Sequence, residues 1–298
     1  MYPFGRGIAR HLPLVLLMLP LLLYVIFAFG PSVATVFFSF TNATGLPGAE
    51  WHFIGFKNYD RLLNSSDQAE RIRSVRNSLQ FAFVVVVVQN VVGLFMAVIV
   101  NRKLKGDSFF RATYFLPVVL GVTVSGLVWR MMMNPLGGPL SEFLKFFHIK
   151  SAFLSSYGAA FEWIIFVQIW MYMGYSMTIF LAGLQSVPKD LYDAANIDGS
   201  SRWQSFRHVT LPMIAPATTV NMLLSIIGAL QTFDIIYVLT NGGFNTRTLA
   251  LDIYRDAIAN NQTADYGLAS AGAMLLFVFV FVITIVALAI LRRREVDL

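Results

Sequence analysis

The sequence predicts an all-α, polytopic integral membrane protein with six transmembrane helices, and three observations predict it. Of its 298 residues, 57% are hydrophobic and only 13% charged, about half the charge of an average soluble domain. Mean hydropathy is +0.66. Six apolar stretches are each long enough to cross roughly 30 Å of hydrocarbon. They hold one formal charge, Asp234. No ten-residue alternation typical of a membrane β-barrel occurs, so the backbone groups of these stretches must be satisfied within helices. Composition also excludes whole classes. The 14% of aromatic residues argues against disorder, and the 21 Gly and 11 Pro are too aperiodic for a fibrous protein. With no cysteine, disulfide frameworks, cysteine zinc sites, iron-sulfur clusters and thiol nucleophiles are removed. The net charge of +6 is scattered over short loops and forms no basic patch, so no nucleic-acid partner is expected.

The elements follow in order. Span one, Leu12 to Phe40, comes after Arg6 and Arg10; its apolar run is too long for a signal core and no small-residue cleavage site closes it, so it reads as an uncleaved anchor. An outer loop, 41–77, mixes Lys57, Arg61, Arg71, Arg73 and Arg76 with Glu50, Asp60, Asp67 and Glu70. Span two covers Ser78 to Val100, span three Ala112 to Trp129 and span four Trp163 to Val187. Span five is Leu211 to Leu239, and span six Tyr266 to Leu291. This divides the chain into a first helix with its outer loop (1–77), a five-helix core (78–291) and a tail (292–298).

Orientation follows from basic residues in short loops. The N-terminus, the loop after span two, the loop after span four and the tail together hold 12 of the 22 Lys and Arg, in the smaller share of loop positions. They include Arg102, Lys103, Lys105, Arg111, Lys189, Arg202, Arg207, Arg292, Arg293 and Arg294. Both termini are therefore expected in the cytoplasm. The four histidines, His11, His52, His148 and His208, are dispersed outside the spans and suggest no metal site.

The loop 188–210 between spans four and five is the most informative stretch. Pro188 suits the start of a helix, Asp190 and Asp193 favour the positive end of its dipole, and Gly199 is placed to end it. One short helix is expected from Lys189 to Asp198. Ser200 or Ser201 then caps a second one, through Trp203, Phe206 and Val209, whose spacing of three puts them on one face. Leu211 and Pro212 close this helix-turn-helix and start span five. The small residues Ala194 and Ala195 leave room for another backbone. An arbitrary loop of this length reads as a solvated connector, and the residues say otherwise. Asp193-Ala194-Ala195-Asn196, then Gly199, then Val209-Thr210-Leu211-Pro212 resembles the EAA motif of the permease subunits of binding-protein-dependent ABC importers, with every spacing kept. Asp193 stands where that family usually has Glu, and Val209 where Ile is common.

A second match narrows the branch. Phe233-Asp234-Ile235-Ile236-Tyr237-Val238-Leu239-Thr240-Asn241-Gly242-Gly243, followed by Thr248-Leu249 and Tyr254, resembles the end of span five in carbohydrate-type (maltose or glycerol-phosphate) permeases. Phe244 replaces the usual Pro, which predicts a less rigid turn. The resemblance covers roughly residues 70 to 290. It implies a sugar-transport permease of a bacterial or archaeal cytoplasmic membrane, with a homologous second permease, two ATPase subunits and an extracytoplasmic solute-binding protein as partners. It also implies that the loop 188–210 docks on an ATPase subunit. The chain has no Gly-rich phosphate loop ending in Gly-Lys-Ser or Gly-Lys-Thr, so this subunit is expected to hold no cofactor and to be no enzyme, with ATP and Mg bound by the partner ATPase.

A solute path is expected as polar or small residues at helical spacing inside apolar spans. Span five offers Asn221, Ser225, Gly228 and Thr232, with Gln231 and Asp234 adjoining; span four offers Gln168, Tyr172 and Tyr175. Amides, hydroxyls and rings suit a neutral polyol such as a sugar. Small and polar residues also glue helices together. We read Gln89, Asn90 and Gly93 of span two as such glue, the stripes of spans four and five as path lining, and Asp234 as at least as much structural as functional. A permease for a polyol or glycerol phosphate is the alternative. A membrane-embedded enzyme ranks below it, since no convergent acid-base or metal constellation is found.

Overall fold

The structure is a computed structural model that describes residues 16–46, 48–64, 68–102, 106–149, 151–259 and 264–293. Arg6, Arg10, His11, Lys103, Lys105, Arg294, the first residues of span one and most of the tail lie outside the described residues. The helices are α1 (Leu16–Phe38), α2 (Lys57–Asn64), α3 (Gln68–Val100), α4 (Asp107–Met132), α5 (Pro139–Phe146), α6 (Ala160–Ser186), α7 (Lys189–Ile197), α8 (Arg202–Met213), α9 (Ala215–Gln231), α10 (Asp234–Thr240), α11 (Leu249–Tyr254) and α12 (Tyr266–Arg292). Five of them, α1, α3, α4, α6 and α12, are long and apolar enough to cross a membrane, and the bent pair α8 and α9 makes a sixth if counted as one span. Contacts divide the chain into two compact units, residues 1–68 with 253–275 and residues 69–252 with 276–298.

In the first unit the apolar window of α1 buries nothing, as suits a helix whose solvent is lipid. The chain after it folds around Asn58, which is fully buried and whose Nδ2 donates to the carbonyls of Ser39 (3.0 Å) and Thr41 (2.7 Å). Arg61 pairs with Asp265 at 2.9 Å. Gly267 lies so close that a Cβ there would sit 2.1 Å from the Thr41 carbonyl oxygen.

The second unit carries the helical core. Helix α3 begins at Gln68, ten residues before the apolar run does. Hydrogen bonds to the 245–249 segment hold this polar extension. Asn77 Nδ2 donates to the carbonyls of Asn245 and Arg247, both at 2.8 Å, and Arg73 donates to Asn245 Oδ1 at 2.8 Å. Arg247 pairs with Glu70 at 2.7 Å, and Ser78 Oγ accepts from the Leu249 N–H at 2.9 Å. The turn around Phe244 is tied as well. Thr240 and Thr246 share a hydroxyl bond of 2.7 Å, and the Phe244 ring packs on Tyr157 at 5.3 Å. Phe244 adopts φ +53°, a conformation closed to proline.

Helix α4 runs beyond both predicted ends and breaks at Gly121, whose φ of 75° and ψ of 162° leave the helical region shortly after Pro117. It packs on α6 in near backbone contact at Gly174. Helices α3 and α6 meet at Gly93 against Ser176, where an added Cβ would stand 2.7 Å from the serine Cβ. At one end of the bundle Ala97, Val100, Met177, Phe180 and Leu184 form a core that takes in Ile214.

Span five is not the single helix the hydropathy pattern predicts. Helices α8 and α9 meet at Ile214 with a bend of 67°. Pro212 and Pro216 explain it, since neither can donate a helical hydrogen bond and the ring of Pro216 crowds the carbonyl of Pro212. The span breaks again after Gln231, where Thr232 is extended at ψ 123°, and restarts as α10 at Asp234. Asp234 thus lies in the first turn of a helix and its Oδ1 accepts from the Ile235 N–H at 2.8 Å. A carboxylate is stabilised there by the positive end of the helix dipole, which accounts for the lone charge in the spans.

Candidate coupling knob and solute path

Helices α7 and α8 form the predicted helix-turn-helix, and its turn is capped from both sides. Gly199 takes φ +73°. Its N–H donates to the Asn196 carbonyl at 3.1 Å, and the Ser200 N–H to the Ala195 carbonyl at 2.9 Å, the paired bonds of a Schellman ending. Ser201 then caps α8. Its Oγ accepts from the Gln204 N–H at 3.3 Å, while Gln204 Oε1 accepts from the Ser201 N–H at 2.7 Å, a reciprocal capping box. Tyr192 and Thr210 tie the two helices through a hydroxyl bond of 3.1 Å.

No residue of α7 is buried. Asp193, Ala194 and Asn196 are exposed and Ala195 half-buried; Val209 and Pro212 are half-buried and Leu211 exposed. Ile197, 86% exposed, and Trp203, 68% exposed, are apolar groups on this knob that the motif did not single out. Trp203 belongs to the face it shares with Phe206 and Val209, whereas the signal of Ile197 is a large apolar residue that follows Asp193 and Ala194 by four and three positions. Removal of the cap by Ser201→Ala is expected to cost about 1 kcal/mol of local stability; uptake should fall several-fold at the parent's level of membrane insertion, measured in the same cells.

The path residues divide into two groups. Asn221 and Ser225 lie inside a buried knot with Gln89, Asn90 and Ser176. Gln89 Nε2 donates to Ser176 Oγ at 2.8 Å, Asn221 Nδ2 to Asn90 Oδ1 at 2.9 Å, and Asn90 Nδ2 to Ser225 Oγ at 3.2 Å. Asn221 is fully buried. Asn221 and Ser225 therefore bond α9 to α3, and Gln89 carries the knot on to α6, within this chain. Gln168 is also buried, and Thr232 turns its hydroxyl to the Gly228 carbonyl at 2.7 Å. Tyr172 is half-buried; Tyr175, Gly228 and Gln231 are exposed. The open face of α9 runs through Val220, Leu224, Gly228 and Gln231, two of which are apolar and were not legible as lining. Among the described residues no cluster of His, Asp or Glu can hold a metal ion.

The geometry is that of a chain of membrane-length helices carrying an exposed helix-turn-helix. A family model described as "Binding-protein-dependent transport system inner membrane component" matches residues 89–296, and the chain belongs to that family, as a permease subunit without an ATPase of its own. It is 35% identical over 265 residues to the trehalose/maltose transport system permease protein MalF of Thermococcus litoralis, covering 88% of each chain. It is 31% identical over 299 residues to the probable starch degradation products transport system permease protein AmyD of Thermoanaerobacterium thermosulfurigenes, covering 99% of this chain and 98% of that one. In fold it is similar to a chain of a bacterial ABC transporter that imports the acidic polysaccharide alginate, with a TM-score of 0.81 at 22% identity, covering 98% and 99% of the two chains.

Proposed function

We propose that this chain moves a carbohydrate inward as one of two homologous permeases. Two ATPase subunits that bind ATP and Mg act on α7, and an extracytoplasmic binding protein delivers the solute. The observation that carries the reading is α7 itself, a helix with no buried residue fixed by a Schellman ending and a capped neighbour. Energy spent on holding an exposed helix in one pose is explained when that pose is read by a partner. Asp193, Ala194, Ala195, Asn196, Gly199, Val209, Leu211 and Pro212 form the coupling element. The knob lies in the cytoplasm with both termini, as the basic loops indicate. Relatives named for trehalose, maltose and starch products support an oligosaccharide over a polyol or glycerol phosphate.

Within the path we assign solute contact to Tyr172, Tyr175, Gly228 and Gln231. Asn221, Ser225, Gln168 and Thr232 shape that wall from behind. Tyr175→Ala and Gln231→Ala are each expected to raise the KM for uptake several-fold with the thermal midpoint of the purified complex unchanged. Asn221→Ala should instead lower that midpoint, because it strands Asn90 in a buried network. The reverse pattern would exchange the two assignments. The reading as a whole is tested by reconstituting the complex with its binding protein and screening sugars for stimulated ATP hydrolysis. Stimulation by a maltodextrin or a related oligosaccharide is expected; hydrolysis that responds only to glycerol phosphate or to no carbohydrate overturns it.

A further inference from the structure

Helices α3, α6, α7 and α8 line a groove of about 780 Å³. Leu94, Phe95 and Val98 of α3 and Phe206 of α8 give it apolar walls. Trp203 stacks on Phe206 with ring centroids 5.6 Å apart and stays largely exposed. Two of its polar groups, Tyr192 and Thr210, bond to each other and ask nothing of an occupant. Arg102 and Arg202 are the only formally charged residues among those lining it, and no carboxylate joins them. The groove opens onto an outward stripe of α3, Phe83, Val87, Val91 and Phe95 at steps of four, all exposed.

We propose that this groove binds an anionic phospholipid, with the acyl chain along α3 and the phosphate held by Arg102 and Arg202. The match is chemical. One end of the groove continues an apolar stripe in the span, and its lining also holds Arg102, just past the end of α3, and Arg202, at the start of α8, with no carboxylate among the described lining residues. Trp203, which also lines the groove, is the residue type that settles at a membrane interface. Basic pockets between membrane helices attract acidic headgroups, and guanidinium meets phosphate with paired hydrogen bonds. A sugar would find few free donors or acceptors on these walls. The site touches both the span and the knob, so its occupant bears on the angle between them. On the proposed orientation the lipid belongs to the cytoplasmic leaflet.

The test uses the assembled complex in nanodiscs, with the emission of Trp203 isolated by difference from Trp203→Phe. Phosphatidylglycerol brominated on its acyl chain is expected to quench that emission roughly fivefold more than brominated phosphatidylcholine at equal mole fraction. The double variant Arg102→Gln with Arg202→Gln should remove the preference. Equal quenching by both lipids in the parent overturns the proposal, and so does protection from both, which would mean that a protein surface covers the groove. Native mass spectrometry gives a second reading independent of tryptophan. The parent should retain phosphatidylglycerol through detergent washing while the double variant loses it; equal retention overturns the proposal. Neither measurement needs sugar or ATP, so its failure is distinguishable from failure of the transport reading.

Discussion

Gly199→Val is expected to reduce ATP-driven uptake to about a tenth of the parent's or less, with the chain still inserting and assembling. The obstacle is conformational. Gly199 holds φ +73°, and nothing lies within 4 Å of the place a Cβ would take. A side chain in the left-handed region costs roughly 1–2 kcal/mol, more when branched at Cβ, and a tenfold change in rate corresponds to about 1.4 kcal/mol. Unwinding the last turn of α7 would relieve the strain and displace the Asp193 to Asn196 surface proposed to meet the ATPase. Gly199→Asn is the discriminating companion, because Asn tolerates that conformation; it should keep most of the uptake. Uptake assays at matched membrane levels, with ATP hydrolysis measured on the same preparations, check both. Parental uptake by the valine variant would remove the geometry of α7 from coupling.

Gly174→Ala has the largest expected effect on stability. A Cβ at this position would lie 2.0 Å from the carbonyl oxygen of Tyr114 and 2.5 Å from its carbon. Both atoms are backbone, so no rotamer change makes room, and α4 must leave α6. The cost is expected at about 3 kcal/mol, the upper end of the overpacking range, or roughly 10 °C in thermal midpoint. Gly228→Ala is its control. No atom lies within 4 Å of a Cβ at Gly228, and alanine is the better helix former by up to about 1 kcal/mol, so the midpoint should hold or rise. Thermal unfolding of the purified complex by intrinsic fluorescence separates them. A midpoint for Gly174→Ala within about 2 °C of the parent's would show that the two helices are not held at this contact.

The pair also marks how far the sequence reached. Gly174 and Gly228 are both glycines inside apolar spans, and no local pattern distinguishes the one that receives a neighbouring backbone from the one that faces open space. The knob was legible almost to the residue, with helix α7 ending at Ile197 where Asp198 was expected and with Ser201 as the cap of α8. Caps and turns are set by residues a few positions apart, and that information is local. The double break in span five was half legible. Pro212 and Pro216 announce a bend, but a hydropathy window averages them away, and the second break at Thr232 has no such marker.

By itself the sequence determined the class of this protein. Charge starvation and six long apolar runs require membrane helices because a lipid-exposed backbone has no other way to satisfy its polar groups. The spacing from Asp193 to Pro212 likewise carried the helix-turn-helix of α7 and α8. Only the tertiary structure decided which polar residues of the spans look outward. Asn221 and Ser225 share a helical face with Gly228 in the sequence, yet they meet Asn90, which stands more than a hundred residues earlier in the chain. The same holds for the polar start of α3, kept helical by partners in the 245–249 segment. A side chain's periodicity is a property of its own helix, whereas its burial depends on which helices pack against that face, and distant segments of the chain settle that.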